Sequence, residues 1–213
     1  MHFNKQFYLH INKLITEKHP KAKLMIVSKN RTIELIRDAL SEGALLFGEN
    51  KVQEAELKFD VLRKEFFNID LHLIGPLQTN KVKQALRTFD VIQSVDREKL
   101  VKEISKNLVE HKKTKSFYIQ VNIGEEDQKS GIDPRETKSL YDYSIEQGLN
   151  IVGLMCIPPN NQDSNFFFNK MVELKNSINP DLLLSMGMSG DYLFALQNKT
   201  DLIRLGSKFF SDE

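Results

Sequence analysis

The chain has 213 residues, 40% of them hydrophobic, and its 30 Lys+Arg against 29 Asp+Glu leave a formal charge of +1. A chain of that length buries roughly 70% of its unfolded surface on folding, which excludes dominant disorder, and the even charge balance argues against a basic nucleic-acid-binding face. No apolar run approaches the roughly 18 residues of a membrane span, no small-residue cleavage site follows MHFNKQFYLHINKLI, and the lone Cys156 can form no internal disulfide, so the expected location is cytoplasmic.

Apolar runs of strand length alternate along the chain with stretches of helical period. Leu24 to Val27 reads as the first strand, and Thr32 to Glu42 as a helix capped by Thr32 and closed by Gly43. Leu45 to Phe47 is the second strand, ended by Gly48, with a charged amphipathic helix from Asn50 to Phe67. Leu71 to Ile74 is the third, broken by Gly75-Pro76 and followed by a helix over Thr79 to Phe89. Val91 and Ile92 mark the fourth, with a helix from Arg97 to Glu110.

Ser116 to Ile123, rich in aromatic and β-branched residues, is the fifth strand. The polar loop GEEDQKSGID leads to a helix opened by Pro134. Ile151 to Ile157 is the sixth strand, closed by Pro158-Pro159, and Ser164 to Ser177 is helical. Leu182 to Leu184, a short helix over Asp191 to Gln197, Leu202 to Leu205 and a last turn over Lys208 to Phe210 complete the pattern.

Eight β/α units with no linker or composition shift predict one domain over residues 1–213, an α/β fold of the TIM-type (β/α)8 barrel class. A doubly wound open sheet is the rival, but the segment after the first strand, SKNRT, has no Gly-rich phosphate turn.

In such a barrel the chemistry sits in the loops at the C-terminal strand ends. Lys29 follows four apolar residues, and its stem is expected to start inside the mouth. A partly desolvated lysine there is an amine nucleophile toward aldehydes, and one snorkelling to water is the plainer reading. The loops Ser185 to Asp191 and Arg204-Leu205-Gly206-Ser207 combine glycines, serines and helix starts where barrels commonly hold phosphate, or they are ordinary serine-capped turns. A Schiff-base lysine facing a phosphate site suits pyridoxal 5′-phosphate or a sugar-phosphate substrate. Arg204 would face the pyridine nitrogen, weakening the cofactor's electron sink, or would pair with a phosphate or carboxylate.

These residues resemble the pyridoxal-phosphate homeostasis protein family, whose fold is like the N-terminal barrel of alanine racemase. The likeness rests on Val27-Ser28-Lys29, Phe47-Gly48-Glu49-Asn50, Val52-Gln53-Glu54, His72-Leu73-Ile74-Gly75, Leu77-Gln78-Thr79-Asn80-Lys81 and Gln120-Val121-Asn122. It continues through Lys129-Ser130-Gly131, Gly153-Leu154-Met155, Ser185 to Asp191, Arg204 and Gly206-Ser207. It implies pyridoxal 5′-phosphate as cofactor, carried by Lys29 as a Schiff base, with Ser189, Gly206 and Ser207 at its phosphate. Arg204 would lie at the ring nitrogen, and Asn50 and Met155 nearby. It implies buffering of the cofactor or its delivery to client enzymes, without established catalysis; departures are Leu71, Pro76 and the C-terminal FFSDE.

The five histidines show no metal-ligand spacing. His72, within a strand, is expected to be a hydrogen-bonded core residue, Cys156 a buried hydrophobe, and Glu125-Glu126-Asp127 a solvated loop. Gln78, Asn80 and Lys81 are expected over the mouth, where they could line the cofactor's exposed side.

Three function classes follow. The first is a non-catalytic cofactor carrier, a monomer or weak dimer that serves pyridoxal-phosphate-dependent client enzymes and binds neither nucleic acid nor membrane. The second is a racemase or decarboxylase completed by another subunit, since racemisation needs proton donors on both faces of the ring. The third is a Schiff-base aldolase, for which Glu49 is the one placed acid/base candidate.

Overall fold

In the computed structural model, which describes residues 2–111, 113–160 and 162–210, eight parallel strands close into a barrel in chain order. They are β1 (Lys23–Val27), β2 (Leu46–Glu49), β3 (Asp70–Leu73), β4 (Val91–Val95), β5 (Ser116–Val121), β6 (Ile151–Cys156), β7 (Leu183–Ser185) and β8 (Leu202–Leu205). The ring is sealed by β1 pairing with β8, Met25 opposite Arg204. Gly48, read from sequence as the end of the second strand, lies within β2 instead. A Cβ there would come within 2.5 Å of the Met25 sulfur, so glycine lets the two strands' inner faces meet.

Seven helices follow the first seven strands in turn: α2 (Ile33–Ser41), α3 (Val52–Glu65), α4 (Val82–Thr88), α5 (Glu98–Leu108), α6 (Thr137–Glu146), α7 (Ser164–Ile178) and α8 (Tyr192–Gln197). Thr32 caps α2 by accepting the Leu35 N–H. The Thr79 and Pro134 helices each open with a 3₁₀ turn, at Thr79–Lys81 and Pro134–Glu136. The expected turn after β8 is also 3₁₀, over Ser207–Phe209, and Ser211–Glu213 of the C-terminal FFSDE lie outside the described residues.

The eighth helical position is filled from the other end of the chain. Helix α1 (Lys5–Lys18), which the strand-by-strand reading passed over, is capped by Asn4 accepting the Phe7 N–H. Its residues Ile11 and Ile15 are buried. Phe3 and Phe7 meet Phe209 with ring centroids 5.8 and 5.0 Å apart, and the Asn4 N–H donates to the Phe209 carbonyl at 2.9 Å.

Strand residues alternate between the barrel's two faces. Ile26, Phe47, Leu71, Leu73, Ile92, Ile119, Leu154, Leu184 and Ile203 belong to the buried core shared with helix residues such as Phe59, Ile104 and Phe168. The inner face is different. His72, Gln93, Gln120, Ser185 and Arg204 are buried and polar, where barrel interiors commonly hold branched aliphatic side chains. A hydrogen bond from Ser185 on β7 to Gln93 on β4 joins strands that are not neighbours, so it crosses the interior.

Candidate functional site

The turn after β1 carries Lys29 and is held from below. The Ser28 hydroxyl donates to Glu49 Oε1 at 2.7 Å, and the Asn30 N–H donates to Glu54 Oε1 at 2.6 Å. Lys58, on α3, donates to the Ser28 carbonyl at 2.9 Å and contacts Glu54 Oε1 at 2.8 Å and Glu49 Oε1 at 2.6 Å. Its three ammonium donors are thereby matched to three acceptors. Asn30 takes a left-handed conformation, φ 57°, which asparagine tolerates better than most residues.

Lys29 itself is exposed. Of the two sequence readings of Lys29, the solvated one fits this exposure, because β1 stops at Val27 and Lys29 rides on the turn above it. Glu49, considered from sequence as a proton-transfer partner for Lys29, is turned to the outer face of β2 and is fully buried against Lys58. Burial raises its pKa above the usual carboxylate value, against the opposing pull of Lys58. For Glu54 burial acts the same way, but hydrogen bonds from Lys58 and the Asn30 N–H outweigh it and the net shift is downward. Sequence reasoning missed Lys58. The available signal was a lysine within the apolar stripe Val52, Ala55, Phe59 and Leu62 of α3.

Arg204 is buried inside the barrel, donating through Nη1 to the Ser185 hydroxyl and through Nη2 to the Cys156 carbonyl, each at 2.8 Å. Burial lowers its pKa, yet arginine starts so high that it stays charged. Cys156 is buried, as expected, and desolvation pushes its thiol up to about 12. His72 is hydrogen-bonded through both ring nitrogens, again as expected, to Gln93 at 2.8 Å and Asp70 at 3.1 Å. Met155 is buried with Val91 and Tyr118 in a small apolar cluster of its own.

The seventh and eighth loops form the other side of the mouth. Gly187 has φ 97°, and a Cβ there would sit 2.5 Å from that of Ala195. Asp191 Oδ1 accepts the Met188 N–H at 2.6 Å. Ser189 is half-buried and Ser207 exposed. Among the described residues, the backbone N–H groups of Ser189, Gly190, Ser207 and Lys208 donate to no protein acceptor. At Gly206 a Cβ would be 3.0 Å from the Val27 carbonyl oxygen, so the loop after β8 lies close on the end of β1.

Half-buried Asn50, after β2, lines a cleft of about 430 Å³ with Lys51, Pro76, Gln78 and Lys81. The loop after β5 is tied down: Lys129 donates to the Pro158 carbonyl at 3.0 Å and pairs with Glu126 at 2.6 Å. Glu126 is thus an ion-pair partner rather than part of a freely solvated acidic run.

The whole barrel has counterparts among known proteins. The alanine racemase N-terminal domain profile matches residues 8–213. A protein of Aquifex aeolicus named pyridoxal phosphate homeostasis protein is 35% identical over 200 residues, covering 90% of this chain and 87% of that one. The chain belongs to the pyridoxal phosphate homeostasis protein family. PipY of Synechococcus elongatus PCC7942 was solved both without PLP and with PLP bound. The PLP-free structure superposes with a TM-score of 0.85 at 31% identity, covering 95% of this chain and 99% of PipY; the PLP-bound one has a TM-score of 0.83. Alanine racemase of Corynebacterium glutamicum shares the fold, with a TM-score of 0.66 at 17% identity, covering 99% of this chain and 62% of the racemase. The family's members are named for homeostasis rather than for a reaction. Among the described residues, no helix is long and apolar enough to cross a membrane.

Proposed function

We propose that this chain binds pyridoxal 5′-phosphate as a Schiff base on Lys29 and acts in intracellular homeostasis of that cofactor, buffering it or delivering it to dependent enzymes. The observation that carries this reading is the gathering, at one end of one barrel, of an exposed amine, a buried guanidinium and free backbone donors on two loops. Aldehyde, ring and phosphate each find matching chemistry in that set. Bound there, the cofactor supplies an electrophilic aldehyde carbon and an electron-withdrawing ring.

In this reading the chain's own groups divide the work. Lys29 Nζ attaches the aldehyde, and the Lys58–Glu49–Glu54 cluster keeps its turn in place. The Ser189 and Ser207 hydroxyls and neighbouring N–H groups hold the phosphate, with Gly206 close against β1. Arg204 stands at the ring nitrogen, Asn50 and Met155 beside the ring. An arginine there offers that nitrogen a hydrogen bond but keeps its proton at neutral pH, which suits storage better than carbanion chemistry. Tyr118 and Cys156 are buried, and desolvation raises both pKa values, which makes each a weak acid. These features favour a carrier over a racemase or decarboxylase, and the outward-turned Glu49 leaves the aldolase reading without its acid/base partner.

The test is an absorption spectrum of wild type and Lys29→Ala mixed with pyridoxal phosphate, followed by borohydride and mass analysis. A Schiff-base band in wild type that is missing in Lys29→Ala, with cofactor mass fixed on Lys29, is the expected result. Equal bands in both proteins, or none in either, would overturn the assignment of Lys29. Amino-acid turnover by the loaded protein would replace the carrier reading with the enzymatic one.

A further inference from the structure

Five side chains form one hydrogen-bonded line through the barrel, from Arg204 near the mouth to Asp70 at the opening of β3. Arg204 Nη1 lies 2.8 Å from Ser185 Oγ, Ser185 Oγ 2.6 Å from Gln93 Oε1, Gln93 Nε2 2.8 Å from His72 Nδ1, and His72 Nε2 3.1 Å from Asp70 Oδ1. The middle three are buried, as is Arg204, and the Asp70 side chain is 46% exposed.

The direction of donation along this line is dictated by chemistry. A guanidinium only donates, so Ser185 Oγ accepts from Arg204 and its own hydrogen goes to the Gln93 carbonyl. The Gln93 amide then presents N–H to His72, whose Nδ1 must accept. The ring hydrogen is left on Nε2, where it meets the Asp70 carboxylate. Reversing Gln93 would turn its N–H toward Ser185, and the serine hydroxyl would then face two donors with no acceptor for its own hydrogen. Buried, that arrangement carries an unmet polar group. Each link polarises the next in a low-dielectric interior.

We propose that Gln93, His72 and Asp70 are positioning residues for Arg204: through Ser185 they fix its guanidinium and set the electrostatic character of the group it presents to the ring nitrogen. This rests on the reading that Arg204 faces that nitrogen. The ionised state of Asp70 fits the role. Burial alone would raise its pKa, but the hydrogen bond from His72 helps bring the net shift below the usual carboxylate value. The line needs no proton transfer; it acts by orientation and polarity.

The first measurement is long-range ¹H–¹⁵N correlation on the His72 ring in the cofactor-free wild-type protein. The Nε2–H tautomer is expected, and the Nδ1–H tautomer would overturn the proposal. The second compares Gln93→Leu, His72→Phe, His72→Asn and Arg204→Met for pyridoxal phosphate affinity and the absorption spectrum of the bound form, with thermal unfolding as a folding control. Gln93→Leu and His72→Phe are expected to weaken binding about tenfold, the scale of one buried hydrogen bond, and to shift the band. His72→Asn places an amide oxygen where Nδ1 stood, and much of the wild-type behaviour should return. If Arg204→Met alters affinity and spectrum while Gln93→Leu and His72→Phe match wild type, the positioning line is refuted and the cofactor reading stands. If Arg204→Met changes neither, the reading of Arg204 toward the ring fails, and the proposal with it. A Gln93→Leu that does not fold leaves the tautomer and the His72 pair to decide.

Discussion

Lys58 shows how one side chain can set the geometry of another it never touches. It is buried, and its charge is balanced by Glu49 and Glu54. Removing one partner of a buried pair leaves the other charge stranded, at a cost of about 3–5 kcal/mol. Lys58→Met is therefore expected to destabilise the protein by about that much near neutral pH and to slow capture of pyridoxal phosphate by Lys29. Its pH dependence follows from Glu49. Burial raises the folded-state pKa of this carboxyl above its unfolded value, so its favourable contribution is complete below the unfolded pKa and disappears as pH climbs through the folded one. Losing Lys58 removes the opposing pull and moves that folded pKa further up. The deficit of Lys58→Met should hence shrink from pH 8 toward pH 5 in urea unfolding; a deficit independent of pH would show that Glu49 is not the stranded charge.

Among the elements, α1 carries the least obvious duty. The alternation rule supplies a helix after each strand, yet among the described residues only a 3₁₀ turn follows β8, and the N-terminal helix covers the gap. Phe209 is the contact point, fully buried and in ring contact with Phe3, Phe7 and Tyr8. Phe209→Ala removes that anchor and should cost about 3–5 kcal/mol. Hydrogen exchange should then rise first in α1 and at the β1–β8 seam. Uniform loosening of all strands would contradict a local role for α1. Strand β6 was plain in the sequence because IVGLMC is an unbroken apolar run, which suits a strand buried on both faces. Helix α1 was not, since its apolar spacing Phe7, Ile11 and Ile15 opens the chain, before any strand gives it a partner to be read against.

For the whole molecule, the barrel was legible from the number and order of apolar runs, and Lys29, Arg204 and the two serine loops from their places at strand ends. The interior was not. A strand such as Val91–Val95 reads VIQSV, and nothing local says whether Gln93 faces water, helix or axis. That depends on the closure of the ring, which brings β7 across from β4. The same holds for Glu49, whose outward turn follows from β2 running one residue past Gly48. Pleat parity decides face, and parity depends on strand ends, the least certain feature of a sequence reading.

The backbone hydrogen bond between Asn4 and Phe209 has a consequence for how the chain could be rewired. With Asn4 and Phe209 held side by side, the barrel's first and last elements meet and the ring has no privileged starting point. A short flexible linker could join the segments carrying these two residues, and the chain could be opened at Gly148, a left-handed glycine with open space around it on the side away from the mouth. Such a circular permutant should fold to the same barrel and keep the pyridoxal phosphate spectrum of the parent, because cutting there severs no strand and touches none of the loops around Lys29.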